Sequence, residues 1–257
     1  MWRGVQHFHV WKWSSLKRWG LVVIAALFCA IFLVVERDSA FSVFSTDKGP
    51  RALISSGEKG KDVSLTFNIS WGQQQVYPIL DTLKKHDVKA TFFVNGEWAE
   101  RHPEILKAIT EDGHELGMMG YRYKSYLKQD ITQVKKDLLY ARTVFGKLGY
   151  DELSLLRTPN GHVNNEVITM ASKLGYQVVQ WSVNPKDWDN PGTQVIVDHV
   201  MKETSGGDII LMHASDSVKQ TNKALGTILP GIKQKGFHFV TISELISKAE
   251  TESSPIN

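Results

Sequence analysis

Apolar and polar residues follow two different rhythms along the chain after residue 62. Short apolar runs predict seven β-strands at residues 63–67, 90–94, 114–116, 153–156, 177–181, 208–212 and 237–241. The segments between and after them carry apolar residues at helical spacing and predict helices at 76–86, 99–112, 130–148, 165–174, 194–202, 222–235 and 242–249. Because strands that alternate with helices are joined by right-handed crossovers, we expect an α/β fold with a parallel sheet. Seven strands suit a barrel better than an open sheet covered on both sides.

A different pattern precedes this domain. Residues 19–35 contain no charged side chain and lie between Lys17-Arg18 and Glu36-Arg37. Such a stretch is at the short end of a membrane span, and the basic residues before it favour a cytoplasmic N-terminus. We therefore expect a single-pass protein of the cell membrane, in which residues 19–35 are an uncleaved anchor. A removed signal peptide is the alternative.

The expected domain organisation follows from this anchor. Residues 1–18 are predicted to be a cytoplasmic basic-aromatic tail, 36–61 a linker, 62–249 an extracytoplasmic folded domain and 250–257 a disordered tail. The formal net charge is only +3, and no basic cluster occurs outside the N-terminal segment, so nucleic acid is not an expected partner. Cys29 is the only cysteine, so an exported domain must be stabilised by its core without an intrachain disulfide.

Five segments of unusual composition coincide with, or follow, the predicted strands. They are Asn-Ile-Ser-Trp-Gly at 68–72, Gly-His-Glu-Leu-Gly-Met-Met-Gly-Tyr-Arg-Tyr at 113–123, Arg-Thr-Pro-Asn-Gly at 157–161, Trp-Ser-Val-Asn-Pro-Lys-Asp-Trp at 181–188 and Ile-Ile-Leu-Met-His-Ala-Ser at 209–215. Since the carboxyl ends of parallel strands meet at one face of a barrel, we expect these segments to form one site there.

In this order the five segments resemble the polysaccharide deacetylase (NodB-homology) family over residues 63–246, and within it the sporulation-associated PdaB-type branch. The resemblance implies an irregular (β/α)-barrel of about seven parallel strands. It also implies hydrolysis of the amide bond of an N-acetylated glycan in peptidoglycan or spore cortex. In that reaction a divalent metal such as zinc polarises the acetyl carbonyl. The aromatic-basic N-terminus and short anchor fit the same branch, which places the domain outside the cytoplasm, in the forespore envelope.

The sequence departs from the family where the family carries its base and its metal ligands. The first motif of the family provides an aspartate base and then an aspartate ligand, and this sequence has Asn68 and Ile69 there. The two histidines that complete the metal site align with Met119 and Tyr123. An amide cannot act as a general base, and these side chains do not supply the ligands that zinc prefers. We therefore expect no bound metal cofactor.

The resemblance also assigns roles to the remaining polar residues. His213 corresponds to the general acid, Arg157 to the arginine that orients the base, and Asp187 to a carboxylate that contacts the arginine or the histidine. An unpaired buried arginine is costly, so Asp187 is the expected partner of Arg157. Asn68 either contacts the substrate or bonds to local backbone. Because aromatic faces stack on sugar rings, we expect a groove lined by Trp71, Ser70, Tyr121, Tyr123, Pro159, Trp188 and Leu211, with Trp181 filling the barrel core.

Three functions remain open at this point. The chain is a glycan N-deacetylase with an altered site, a membrane-tethered protein that binds glycan without hydrolysing it, or a structural component of an envelope complex. Turnover of acetylated glycan separates the first from the other two. The groove aromatic residues and His213 separate the second from the third.

Overall fold

The strands of the molecule lie where the apolar runs of the sequence are. The computed structural model describes residues 50–56 and 60–253. Within them the strands are β1 (Asp62–Ile69), β2 (Thr91–Val94), β3 (Glu115–Met118), β4 (Leu155–Leu156), β5 (Gln177–Val178), β6 (Ile209–His213) and β7 (His238–Phe239). The helices are α1 (Val76–Lys85), α2 (Gly96–Arg101), α3 (Pro103–Glu111), α4 (Ile131–Lys147), α5 (Asn165–Lys173), α6 (Thr193–Glu203), α7 (Thr221–Gln234) and α8 (Ile242–Ser253). Every predicted strand overlaps one of these strands.

The strands form one parallel sheet that curves into an α/β half-barrel. Their order is β5-β4-β3-β2-β1-β6, and β7 pairs with the first residues of β1. Isolated bridges between Leu53 and Val179 and between Val183 and Ile210 lie in the gap between β5 and β6. The predicted α/β class and parallel sheet are therefore confirmed, and the barrel is open between these two edge strands.

Strand β1 separates two layers of side chains. Val63, Leu65, Phe67 and Ile69 belong to a large apolar cluster that includes residues of the surrounding helices. Because side chains alternate across a strand, Ser64, Thr66 and Asn68 face the other side, toward the inside of the barrel. A second apolar cluster occupies that inside and contains Phe93, Met119, Leu155, Val179 and Ile209. The polar face of β1 thus ends at Asn68, at the carboxyl edge of the sheet.

The predicted helix at 99–112 is wrong as a single helix. The structure has α2 and α3 there, joined at His102, whose φ of −134° and ψ of 51° are not helical. The residue before a proline is disfavoured in the helical conformation, and Pro103 is the first residue of α3. The chain therefore ends one helix before the proline and begins another with it.

The boundaries predicted for the linker and the tail also differ from the structure. Leu53, inside the predicted linker 36–61, is buried, and its backbone bonds to Val178 and Gln180 over 2.8 and 2.7 Å. Ser56 bonds to Gly207 over 2.9 Å. These residues are part of the domain because their backbone groups pair with the edges of the open barrel. At the other end, α8 continues to Ser253, into the predicted tail 250–257.

The predicted anchor at residues 19–35 and the tail at 1–18 lie outside the described residues. In the part of the chain that the structure does describe, none of the helices is both long enough and apolar enough to cross a membrane.

Candidate functional site

The mouth of the barrel is centred on Asn68, near the end of β1. Its neighbours across the sheet are Phe93 of β2 and His213 of β6. Asn68 is 6% exposed, and its Oδ1 accepts a hydrogen bond from Nη1 of Arg157 over 3.0 Å. Strand order therefore joins residues that are far apart in the sequence into one polar group.

Arg157, which follows β4, is a fully buried cation beneath this group. Its Nη1 also donates to Thr66 Oγ1 over 2.9 Å, and its Nε and Nη2 donate to the carbonyls of Val179 and Gln180 over 3.2 and 2.9 Å. The guanidinium carbon lies 4.0 Å from the centre of the Phe93 ring. Burial lowers the pKa of Arg157 to about 9. Among the described residues its hydrogen-bond partners are all neutral, so dipoles and an aromatic face balance its charge.

The expected ion pair between Arg157 and Asp187 is wrong, because Asp187 pairs with His213 instead. Asp187 is fully buried, and its Oδ1 lies 2.8 Å from Nδ1 of His213. Its Oδ2 accepts from the backbone N–H of His213 over 2.8 Å and from Thr221 Oγ1 over 2.7 Å. The 3₁₀ turn Asp187–Asp189 places the carboxylate beside β6, and three donors hold it there.

This pairing fixes what His213 can do. Its Nδ1 is committed to Asp187, so Nε2 is the ring nitrogen left for a ligand, and the side chain is 14% exposed. With Nδ1 donating to the carboxylate, Nε2 of the neutral ring accepts a hydrogen bond or a proton, and it donates only when the ring is protonated.

The three positions that correspond to metal ligands do not form a metal site. Ile69 is fully buried in the outer cluster with Val76 of α1 and Leu225 of α7. Met119 is fully buried in the inner cluster. Tyr123 is partly exposed, and burial raises the pKa of its phenol, although a backbone hydrogen bond from Asn160 acts in the opposite direction.

The wider set of potential ligands gives the same result. Within residues 50–56 and 60–253, no group of three or more His, Cys, Asp and Glu side chains could hold a metal ion. Zinc in a catalytic site needs about three protein ligands of these types. The residues present therefore do not fit the divalent metal of the family reaction.

Exposed aromatic residues surround this polar centre on the strand-end loops. Trp71 is 65% exposed, Trp188 is 51% exposed and Tyr123 is 39% exposed. Large aromatic faces left open to water beside a polar site are suited to stacking on sugar rings. Trp181, predicted to fill the core, packs against the inner cluster and lies 5.5 Å from the Arg157 guanidinium carbon.

Asp216 holds the loop that carries Trp71 and was not among the residues predicted for the site. Its carboxylate accepts from the backbone N–H groups of Gln73 and Gln75 over 3.1 and 3.0 Å. Gly72 has a φ of +74°, and a Cβ there would lie 2.2 Å from Cγ of Asp216. Trp98 Nε1 donates to the Gly72 carbonyl over 2.6 Å. The only sequence signal was that Asp216 directly follows the His-Ala-Ser segment at the end of β6.

The loop also borders a cavity of about 320 Å³. Ser70, Trp71, Trp98, Arg101 and Asp216 contribute to its lining. This places two of the predicted groove residues, Ser70 and Trp71, at one concave surface beside the end of β1.

Tyr121 differs from its expected position in the groove. Its hydroxyl donates to Glu100 over 3.2 Å, and its ring packs edge-on against Tyr140 of α4, with ring centres 4.4 Å apart. Asp137 causes this direction, because it accepts from the backbone N–H of Tyr121 over 2.9 Å and of Arg122 over 3.1 Å. The side chain is therefore engaged by α2 and α4.

The remaining predicted groove residues lie at strand ends or in the turns that follow. Leu211 is buried in β6 beside Thr66, and Pro159 is buried at the start of the 3₁₀ turn Pro159–Gly161. The backbone N–H of Ser70 donates to Ser215 Oγ over 3.1 Å. Leu211 and Pro159 are therefore buried and not open to a ligand, whereas Ser70 lines the cavity.

Comparison of the sequence with known proteins finds clear relatives. A sequence model described as polysaccharide deacetylase matches residues 55–179. A peptidoglycan-N-acetylglucosamine deacetylase of Bacillus cereus is 37% identical over 191 residues, which cover 72% of this chain and 88% of that protein.

Comparison with solved structures finds proteins with a similar fold. A family 4 carbohydrate esterase pseudoenzyme from Bacillus anthracis matches with a TM-score of 0.72 and 29% identity over 77% of this chain and 69% of that chain. A mutant of that pseudoenzyme, described as having restored enzymatic activity, matches with the same TM-score of 0.72 and 29% identity over 77% of this chain and 72% of that chain.

Proposed function

Because the chain belongs to the polysaccharide deacetylase family, we propose that it binds N-acetylated glycan of peptidoglycan at the mouth of its barrel and does not hydrolyse it by the metal-dependent route. The family relative from Bacillus cereus is named for peptidoglycan, which supports this class of glycan. The Bacillus anthracis pseudoenzyme indicates that the fold also exists without the activity.

The observation that carries this proposal is the contact of Asn68 with Arg157. At the position of the family's base, the amide oxygen accepts from a buried guanidinium over 3.0 Å. An amide neither takes up a proton at neutral pH nor draws one from water, so this position cannot activate a nucleophile. The apolar burial of Ile69 and Met119 removes the ligands that a metal would need at the same place.

What remains is suited to holding a sugar chain. Trp71 and Trp188 offer exposed aromatic faces, and the His213–Asp187 pair offers an oriented hydrogen-bonding group beside Asn68. Apolar stacking supplies most of the affinity in such sites, while a few fixed polar groups set the orientation of the ligand.

The experiment is a comparison of turnover with binding on one preparation. Full-length protein should bind oligomers of N-acetylglucosamine or N-acetylmuramic acid in calorimetry. It should release no acetate above the uncatalysed rate, with or without added zinc. Acetate release that depends on zinc would contradict the proposal.

A second candidate function rests on the intact His213–Asp187 pair. This pair could support slow hydrolysis without a metal, with His213 Nε2 giving a proton to the leaving amine. Under this alternative, acetate release occurs in the presence of a chelator and disappears in His213→Ala. If no acetate is released in the presence of a chelator, this alternative is wrong and binding alone remains.

We also propose that the domain is tethered to the outside of the cell membrane through residues 19–35, and that its glycan lies in the spore cortex. The support is the uncharged run with basic residues on its N-terminal side, together with the resemblance to the sporulation-associated branch. Fractionation of sporulating cells should recover the full-length chain in the membrane pellet.

A further inference from the structure

We propose that the Nδ2 amide hydrogen of Asn68 recognises the carbonyl oxygen of an N-acetyl group, so that the site selects acetylated over deacetylated sugars. This inference rests on the proposed function, because it specifies what the glycan-binding site reads. It assigns a specificity-determining role to the residue that replaces the family's base.

The direction of the Asn68 amide is fixed by chemistry. Arg157 has only donors, so the branch of the carboxamide that meets its Nη1 must be the oxygen. Arg157 is itself held by Thr66 and by the carbonyls of Val179 and Gln180, so it cannot turn away. The NH₂ branch of Asn68 therefore faces away from the guanidinium.

That NH₂ branch is open to the mouth. In the described part of the chain, the fully buried polar side-chain atoms without a partner are Asn95 Oδ1 and His114 Nε2. Asn68 Nδ2 is not one of them, and none of the described residues accepts a hydrogen bond from it. It therefore keeps contact with solvent, within the small exposed fraction of this residue. A fixed donor with no internal acceptor is a recognition group for an acceptor on a ligand.

The surrounding charges favour a carbonyl oxygen over an ammonium group. The Arg157 guanidinium lies directly beneath Asn68 and has no carboxylate partner among the described residues. The nearby Asp187 carboxylate is covered by three donors, which are the backbone N–H and Nδ1 of His213 and the hydroxyl of Thr221. The mouth thus presents the Nδ2 donor of Asn68 above a buried positive charge, and a deacetylated amino sugar would bring a second positive charge to it.

The test is a change of one group, Asn68→Asp, which keeps the shape and turns the outward donor into an acceptor. Binding of full-length protein is measured by calorimetry with a tetramer of N-acetylglucosamine and a tetramer of glucosamine, at a pH where the free amines are protonated. Wild type should prefer the acetylated tetramer by roughly tenfold, since one net hydrogen bond corresponds to about that factor. Asn68→Asp should lose this preference and bind the glucosamine tetramer more tightly than wild type does.

Two further variants isolate the effect. Asn165→Asp makes the same change in charge at an exposed residue at the start of α5, outside the hydrogen bonds of the site, and should leave both affinities unchanged. Asn68→Ala removes the donor without adding an acceptor. It should weaken binding of the acetylated tetramer and leave binding of the glucosamine tetramer unimproved.

The outcomes distinguish a failure of this inference from a failure of the proposed function. If wild type binds the acetylated tetramer and both Asn68 variants bind it equally well, the inference is wrong and the proposed function stands. If wild type binds neither tetramer and no oligomer of N-acetylmuramic acid, the proposed function itself is wrong, and the inference is lost with it.

Discussion

Replacing Asn68 by aspartate should also stabilise the fold, because it places a carboxylate against the buried guanidinium of Arg157. The carboxylate would occupy the position of the present amide, 3.0 Å from Nη1. No main-chain change is needed, since asparagine and aspartate have the same shape. The variant thus restores the ion pair that the sequence lacks and tests how much its absence costs.

The magnitude follows from the burial of Arg157. Burial lowers the pKa of Arg157 well below its ordinary value, to about 9. At about 1.4 kcal/mol for each tenfold change in proton affinity, the charged guanidinium costs the folded state about 5 kcal/mol relative to the unfolded chain. A carboxylate partner recovers only part of this, because it too must leave water. A hydrogen bond to a charged group contributes about 1.5–3 kcal/mol, so we expect a gain of about 2 kcal/mol at neutral pH.

The sign of the pH dependence is a second signature of the same contact. The folded-state pKa of an aspartate beside Arg157 lies below its unfolded value of about 3.9, so the gain is present above pH 4 and is lost as the pH falls through the folded pKa. On the alkaline side, wild-type Arg157 begins to lose its proton in the folded state near pH 9. This removes part of the wild-type penalty, so the difference between the two proteins should narrow above that pH.

The assay is thermal unfolding of both proteins from acidic to alkaline pH. For a domain of this size, about 2 kcal/mol corresponds to a rise in Tm of about 4–8 °C at pH 7. Asn165→Asp is the matched control; at the first residue of α5 the new carboxylate should contribute about 0.3–1 kcal/mol through the helix dipole, less than the gain expected at Asn68. A Tm of Asn68→Asp equal to or below that of wild type at pH 7 would refute the reasoning. It would mean that the neutral acceptors already satisfy Arg157 completely.

Three further predictions concern metal, glycan and membrane. Elemental analysis of protein purified without chelator should find far less than one zinc, cobalt or manganese per chain. The same result is expected for Asn68→Asp, because this change adds no ligand at Ile69 or Met119. One tightly held equivalent of metal would contradict this prediction. Trp188→Ala should weaken binding of acetylated oligomers by about two- to tenfold in calorimetry, because aromatic stacking contributes about 0.5–1.5 kcal/mol. The Tm should stay unchanged, because the Trp188 side chain is 51% exposed. An unchanged affinity would show that Trp188 is not part of the site. Protease added to cells stripped of their wall should digest the domain after residue 36 and spare residues 3–18, whereas a soluble form starting near residue 39 would indicate a cleaved signal peptide.

The sequence predicted the fold well because periodicity reports burial directly. All predicted strands have counterparts, and strand ends brought Asn68, Arg157, Asp187 and His213 to the same mouth, as parallel strands require. The pairing within the mouth was not predictable in the same way. Whether Asp187 meets Arg157 or His213 depends on the path of the loop after β5, and its turn at 187–189 carries no periodic signal.

Other differences between the sequence-based predictions and the structure also arise from contacts between distant segments. Tyr121 turns toward α2 and α4 because Asp137, on the first half of α4, takes the backbone N–H groups of its loop. Leu53 joins the domain because its backbone completes hydrogen bonds at the edge of β5. In both cases a partner elsewhere in the chain decides the place of the residue.

The two halves of the altered first motif have different structural consequences. At position 68 the side chain faces the inside of the barrel, so asparagine keeps the contact with Arg157 and changes only the outward group from an acceptor to a donor. At position 69 the strand continues in register with Val94, and Ile69 belongs to the outer apolar cluster together with residues of α1 and α7. A carboxylate there would be buried among apolar side chains at a cost of several kcal/mol. The Ile69 side chain is thus part of the apolar core. Asn68, in contrast, remains a polar group that can form a hydrogen bond in the mouth. This difference supports the proposal that the site recognises an acetyl group and does not remove it.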